Sequence, residues 1–128
     1  MEQKTVLITG AARGIGAAAA RTFAAAGYAV AIHYHTSESE ALALADTLTA
    51  AGHTVMTVQA DLSDPEQVRQ MVDNVLDNFC QLDILICNAG IAQQKLFGDL
   101  TDQDWRRMFG VNVDGVFYTI RAALPHFI

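Results

Sequence analysis

The stretch Thr5 to Gly16, T-V-L-I-T-G-A-A-R-G-I-G, sets three glycines at a Gly10-xxx-Gly14-x-Gly16 spacing between an apolar run and an alanine-rich segment. Glycine at each of these points lets the main chain approach a ligand closely and take up positive φ with no side chain in the way. Val6, Leu7 and Ile8 read as a strand stopped by Thr9 and Gly10, and Ala17 to Ala26 favours a helix. A helix opening on such a turn aims its unpaired N–H groups and the positive end of its dipole at whatever lies there, which suits an anion. A dinucleotide pyrophosphate is the first candidate. No Lys-Ser or Lys-Thr follows the last glycine, which excludes a P-loop. The spacing also fits a strand turn and helix whose glycines serve packing alone, and the motif by itself leaves both readings open.

The elements that must position this turn follow from periodicity. The first helix is expected from about Gly14 to Ala26, with Ile15, Ala19, Phe23 and Ala26 inward and Gly27 as its stop. An inner face made mostly of methyl groups lets a helix lie close to a sheet. Tyr28 to His33 is a continuous apolar run, as in strands covered on both faces. Ser37-x-x-Glu40 is a capping box for a second helix with the stripe Ala41, Leu44, Ala45, Leu48 and Ala51, ending at Gly52. Thr54 to Ala60 makes a third strand. Ser63-x-x-Glu66, with Pro65 in the first turn, caps a third helix with the stripe Val68, Met71, Val72, Val75 and Phe79. Asp83 to Cys87 makes a fourth strand. After a loop from Ile91 to Leu100, Thr101-x-x-Asp104 caps a helical stretch through Trp105, Met108 and Phe109. Gly110 is placed to break or kink it, and periodicity continues through Val113, Val116, Phe117, Ile120 and Leu124 to Phe127 and Ile128.

Strand and helix thus alternate with short connections, which calls for right-handed crossovers and a parallel sheet covered on both faces. The expected fold is α/β: a Rossmann-type, doubly wound parallel sheet in three α-β-α layers, as a single domain over 1–128. Ligands of such sheets lie beyond the carboxyl ends of the strands. Those ends are Thr9 to Gly16, Tyr34 to Ser37, Asp61-Leu62 and Asn88-Ala89-Gly90. Asp61 is also a natural turn residue before Ser63, and Asn88 a natural strand-end residue bonding main chain, and residue type alone decides neither.

At 128 residues and 52% hydrophobic, the chain can bury a core of its own. Eight basic against fourteen acidic residues, with no Lys or Arg cluster, argue against nucleic acid or an anionic membrane as partner. Glu2 and Lys4 precede the first strand, and Arg13 and Arg21 interrupt the apolar stretch after it, so neither a signal peptide nor a spanning segment is expected. Cys80 at a helix end and Cys87 on the buried side of the fourth strand fit free thiols in a reducing cytoplasm. His33-x-His35 reads as surface, and the four histidines show no zinc spacing, so no metal site is expected.

Cofactor choice follows from the end of the second strand, where an NAD-binding protein usually places Asp or Glu for the ribose 2′-OH. Tyr34 stands there, followed by His35, Thr36 and Ser37, with Arg13 close by. No carboxylate repels a 2′-phosphate, and the hydroxyls and the guanidinium can donate to one. The expected cofactor is NADP(H) rather than NAD(H).

Thr9 to Gly16 resembles the T-G-x-x-x-G-I-G motif of the short-chain dehydrogenase/reductases. Asp61-Leu62 is similar to the acidic pair after their third strand, Asn88-Ala89-Gly90 to their N-A-G turn, and Asn112-Val113-Asp114-Gly115 to their N-V-x-G segment. Four motifs in order, each at an element end, look most like the 3-oxoacyl-(acyl-carrier-protein) reductase branch. The resemblance implies that Gly10, Ala12, Arg13, Gly14, Ile15 and Gly16 hold the pyrophosphate and adjoining ribose. It puts Asp61 and Leu62 at the adenine, and Asn88, Ala89 and Gly90 at the nicotinamide-side ribose. It further implies reduction of a 3-oxoacyl thioester or similar ketone, small or carrier-bound, in a homo-oligomer associated through the final helix and the one that follows it in the family. The family's catalytic set is a serine, a Tyr-x-x-x-Lys pair and an asparagine matched by Asn112. Tyr28, Tyr34 and Tyr118 are followed four places on by Ile32, Glu38 and Ala122, so the pair does not occur here. The resemblance therefore implies a cofactor-binding part, incomplete after the fourth strand and following helix, that is inactive alone. Two alternatives stay open: a non-catalytic dinucleotide-binding or assembly module, and a same-branch reductase acting on another ketone, such as the modified-lysine ketone of an elongation factor.

Overall fold

Four short apolar runs pair into one parallel sheet: β1 (Thr5–Ile8), β2 (Ala29–Tyr34), β3 (Val55–Gln59) and β4 (Ile84–Ile86), in the order β3-β2-β1-β4. This is a computed structural model that describes residues 3–92 and 94–127. Five α-helices complete it: α1 (Gly14–Ala25), α2 (Glu38–Ala50), α3 (Pro65–Phe79), α4 (Asp102–Phe109) and α5 (Gly115–Ala123). Because side chains alternate across a strand, Val6, Ile8, Val30 and Ile32 pack with the alanines of α1 and with Leu44 and Leu48 of α2. Leu7, Ala31 and Val58 face the other way, onto Val68, Met71 and Val75 of α3 and Ala123 of α5. The two clusters make the three layers, and every connection carries a strand's carboxyl end toward one edge.

Several local expectations shift. The inner face of α1 is Gly16, Ala17, Ala20 and Ala24, and Ile15, expected inward, is 82% exposed. The helix is turned because Gly16 must lie against Gly10 and Asn88. β2 starts and ends one residue later than expected, which carries Tyr34 into the strand with its side chain buried in the core. β3 and β4 are shorter than expected, so Cys87 lies past the end of β4 and is exposed rather than on a buried strand side. Ser37 sits at the start of α2 without a side-chain capping bond. The cap of α3 is Asp64, which accepts from the Glu66 N–H at 3.0 Å, because the Ser63 hydroxyl is spent on Asp61 at 2.7 Å. The Thr101–Asp104 capping box does form, with both bonds made. Within the loop after β4, Phe97–Asp99 is a single 3-10 turn. Gly110 does not break the helix: the chain passes through one π turn, Gly110–Asp114, and runs on as α5.

Among the described residues no helix is long and apolar enough to cross a membrane. Trp105, Phe109, Val113, Phe117, Ile120, Leu124 and Phe127 are exposed at three- and four-residue steps along α4 and α5. Ile128, which the sequence adds to that stripe, lies outside the described residues, as does Glu2. Each large apolar side chain left in water forgoes about 1.5–3 kcal/mol, so a contiguous stripe of this length favours association. The chain is expected to sediment as a dimer or larger species at micromolar concentration, and Phe117→Asp to shift it toward monomer. A stable wild-type monomer would contradict this.

Candidate functional site: a dinucleotide pocket at the strand ends

The glycine turn is gripped from both neighbouring strands. From β2, the His33 carbonyl accepts the Ala11 N–H at 2.9 Å and the His33 ring accepts the Gly10 N–H at its Nδ1, also at 2.9 Å. A peptide nitrogen can only donate, so Nδ1 carries the lone pair and the ring proton sits on Nε2, which donates to the Ala60 carbonyl at 2.9 Å. One buried imidazole thus ties the glycine turn to the end of β3. The sequence reading of His33 as a surface residue is overturned, because its side chain is only 2% exposed. Burial, with His35 nearby, holds its pKa below the ordinary value, although the bond to Ala60 opposes this.

From the β4 side, the Asn88 side-chain amide donates to the carbonyls of Thr9 and Gly10 at 3.2 and 3.1 Å. The Thr9 hydroxyl in turn accepts the N–H groups of Asn88 and Ala89, both at 3.0 Å. Gly10 and Gly14 have φ of +63° and +58°, the left-handed region that favours glycine. Gly16 is a glycine for another reason: a Cβ there would meet Asn88 Nδ2 at 2.6 Å and Ala11 Cα at 2.9 Å. Its expected positive φ is not found, and its role is contact within the protein. Gly14 is the reverse case, with no atom within 4 Å of where its Cβ would be.

Gly14 is also one of the residues lining a cavity of about 300 Å³ beyond the carboxyl ends of all four strands. Of the residues singled out in the sequence, all line it except Ile15, Gly16 and Asn112. The first backbone bond of α1 is Ala17 N–H to Arg13 O, and the N–H groups of Gly14, Ile15 and Gly16 have no backbone partner among the described residues. No acidic side chain stands in that first turn, and Arg13 is exposed beside it. Main-chain donors, a helix N-terminus and a cation around an open glycine fit a pyrophosphate.

Residues 4–128 match the family described as short chain dehydrogenase. The chain belongs to that family.

Among relatives, it is 36% identical to the 3-oxoacyl-[acyl-carrier-protein] reductase FabG of Staphylococcus aureus over 125 residues, which is 98% of this chain and 51% of the relative. A short chain dehydrogenase from Burkholderia cenocepacia, solved in complex with NADP, superposes with a TM-score of 0.93 at 42% identity, covering 98% of this chain and 51% of that one. A short chain dehydrogenase/reductase from Burkholderia phymatum, solved in complex with NAD, gives 0.92 at 34% identity over 98% and 44%. The chain therefore spans about half the length of the relatives it matches.

Asp61 both closes a turn and lines the cavity, its Oδ1 accepting from the Ser63 N–H and hydroxyl at 3.0 and 2.7 Å. Arg107 reaches over from α4, bonding both carboxylate oxygens at 3.2 Å. Partial burial would raise the Asp61 pKa, but the Ser63 bonds and the Arg107 guanidinium outweigh it and hold the carboxyl below its ordinary value. Leu62 is buried and lies against Gly115, whose missing side chain lets α5 come close. Asn112, in the π turn, accepts the Ile91 N–H and donates to the Ile91 carbonyl, both at 2.8 Å. It braces the loop after the N-A-G turn from a helix irregularity of the kind often found at functional sites.

Sequence reasoning missed three cavity-lining residues, His33, Arg107 and Val111, and carried a fourth, Ile91, only as the start of the loop after the N-A-G turn. The inward side of β2 gave a signal for His33, since a polar residue in a fully buried strand needs partners. Nothing in the sequence around Arg107 pointed to Asp61, 46 positions away.

Proposed function

We propose that this chain forms the NADP(H)-binding part of a reductase that passes hydride from NADPH to the carbonyl carbon of a 3-oxoacyl thioester or similar ketone, the carbonyl oxygen taking a proton to give the hydroxy product. The observation that carries the cofactor half is the open, positive-φ Gly14 at the mouth of a cavity whose β2 end presents Tyr34, His35, Thr36 and Ser37 and no carboxylate. The NADP-bound relative and the carrier-protein reductase support the reading. In it, Gly10 to Gly16 serve the pyrophosphate and adjoining ribose, with Ile15 and Gly16 contributing through main chain alone. His35, Thr36 and Ser37 serve the 2′-phosphate, Asp61 and Leu62 the adenine end, and Asn88 to Gly90 the second ribose. Tyr34 contributes the wall, since its side chain is buried.

In this reading no Tyr-x-x-x-Lys pair of this sequence stands ready to protonate the carbonyl oxygen. A tyrosine is a poor acid at neutral pH unless a cation lowers its pKa near 10. Lys95 is committed to Asp104 at 2.8 Å, and Lys4 is followed by strand β1. Asn112 is the one member of the catalytic set that this chain supplies under the proposal, bracing the substrate side of the pocket through Ile91. Partner copies of the chain, associating through the α4–α5 stripe, complete the reading.

The test is to titrate the chain with NADP+ and NAD+ and compare dissociation constants. NADP+ is expected to bind more tightly by about tenfold, a difference of about 1.4 kcal/mol. Gly14→Val is expected to abolish binding of both, because a β-branched side chain resists positive φ and fills the phosphate space. Tighter NAD+ binding would overturn the cofactor choice, and unchanged affinity in Gly14→Val would overturn the pyrophosphate assignment.

A further inference from the structure

The end of β2 and the end of β3 are held together from α4 by a single side chain. Arg107 NH1 donates to both Asp61 oxygens at 3.2 Å and lies 3.3 Å from the Ser63 hydroxyl, while NH2 donates to His35 Nδ1 at 3.3 Å. This bridge spans 46 residues to Asp61 and 72 to His35, and it lies on the wall of the cofactor cavity.

Two consequences follow from donor and acceptor chemistry. First, Asp61 is the carboxylate nearest in chain position to the β3 end of the cavity, and unopposed it would repel a phosphate at the neighbouring β2 end. One guanidinium nitrogen of Arg107, bonding both carboxylate oxygens, neutralises it in place while the other reaches His35. Second, a guanidinium has no lone pair to offer, so His35 Nδ1 must be the acceptor and the ring proton is placed on Nε2. In this tautomer the His35 ring N–H lies on Nε2, not on the nitrogen that Arg107 engages, and His35, Thr36 and Ser37 all line the cavity. Among the described residues, Arg107 Nε and the second NH2 hydrogen have no protein partner, which leaves further donors on the same wall.

We infer that Arg107 is a specificity-determining positioning residue: by pairing with Asp61 and fixing the His35 tautomer from α4, it makes the β2 end of the pocket a receiver for the 2′-phosphate of NADP. This rests on the NADP(H) reading above and adds the residue on which the discrimination depends. Arg13, the cation the sequence offers for that role, is exposed and has no anchoring side-chain bond among the described residues.

The experiment compares wild type, Arg107→Met and Arg107→Lys for NADP+ and NAD+ dissociation constants, with long-range 15N correlation spectra of His35 in the free proteins. Arg107→Met is expected to lose about tenfold or more in NADP+ affinity while NAD+ affinity stays within about threefold, an effect of roughly 1.4 kcal/mol on one ligand alone. Arg107→Lys, which restores the charge without the second nitrogen, is expected to recover part of the ratio. The His35 spectrum is expected to show the Nε2–H tautomer in wild type and a mixture in Arg107→Met, a readout that needs no bound nucleotide. Wild-type preference for NAD+ would overturn the NADP reading and this inference with it. An unchanged NADP+/NAD+ ratio in Arg107→Met, or an Nδ1–H tautomer of His35 in wild type, would overturn the role of Arg107 and leave the NADP reading standing.

Discussion

Gly16→Ala should destabilise this chain by about 3 kcal/mol or more, although alanine is the better helix former by about 1 kcal/mol and Gly16 lies inside α1. The added methyl would fall within the van der Waals shell of the Gly10 carbonyl oxygen, 2.9 Å from Ala11 Cα and 2.6 Å from Asn88 Nδ2. Two of these three obstacles are main chain of the glycine turn, so no side-chain rotation relieves the clash. Moving the turn breaks the Asn88 bonds to the carbonyls of Thr9 and Gly10, and moving α1 lifts Ala17, Ala20 and Ala24 from the sheet. Against a total of about 5–15 kcal/mol for a domain, this is a large fraction. Urea unfolding monitored by circular dichroism measures it, and a midpoint equal to or above wild type would show that Gly16 makes no such contact.

His33→Leu should be comparably damaging, and its effect should depend on pH. Leucine fills a similar volume but leaves the buried Ala60 carbonyl and the part-buried Gly10 N–H without their partner, at about 1–3 kcal/mol for the buried group and less for the other. In wild type the imidazole must stay neutral, because a proton on Nδ1 would set N–H against N–H at Gly10. Burial keeps the folded pKa below 6.5. Above about 6.5 neither state is protonated and the full stability is present; as pH falls below it, the unfolded chain takes up a proton that the folded one refuses. Wild-type stability should therefore drop by up to about 1.4 kcal/mol per pH unit until the folded pKa is reached. In His33→Leu that component is absent, so the gap between the two proteins should narrow from pH 7.5 to pH 5.5. A gap that stays constant or widens over that range would contradict a neutral, bridging His33.

The order of layers and strands was legible because it rests on signals that survive averaging over many residues. Apolar runs at Val6 to Ile8, Val30 to Ile32 and Ile84 to Ile86, and the three-four stripe of α3, each report a face that must be covered. The glycine spacing placed the pocket at one sheet edge for the same reason, since Gly10 and Gly14 do take the positive φ the sequence suggested. The rotation of α1 was not legible. A helix half of whose residues are alanine offers several faces of similar size for burial, and contact at Gly16 settled which.

The capping boxes make the same point at smaller scale. Thr101 and Asp104 form theirs because, among the described residues, no other donor or acceptor engages the threonine hydroxyl, whereas the Ser63 hydroxyl found Asp61 and left the cap of α3 to Asp64. The sequence supplied both sets of donors and acceptors, and position in space chose between them.

What the sequence determined by itself, then, was the α/β alternation, the glycine turn and the strand ends at which a dinucleotide would lie, because periodicity and positive-φ demands are local. Only the tertiary structure decided that His33 and Asn88 clamp the turn and that Arg107 reaches Asp61 and His35. Those bonds join residues 23 to 79 positions apart, and a polar side chain's partner is fixed by which backbone ends the sheet brings together, which no local spacing records.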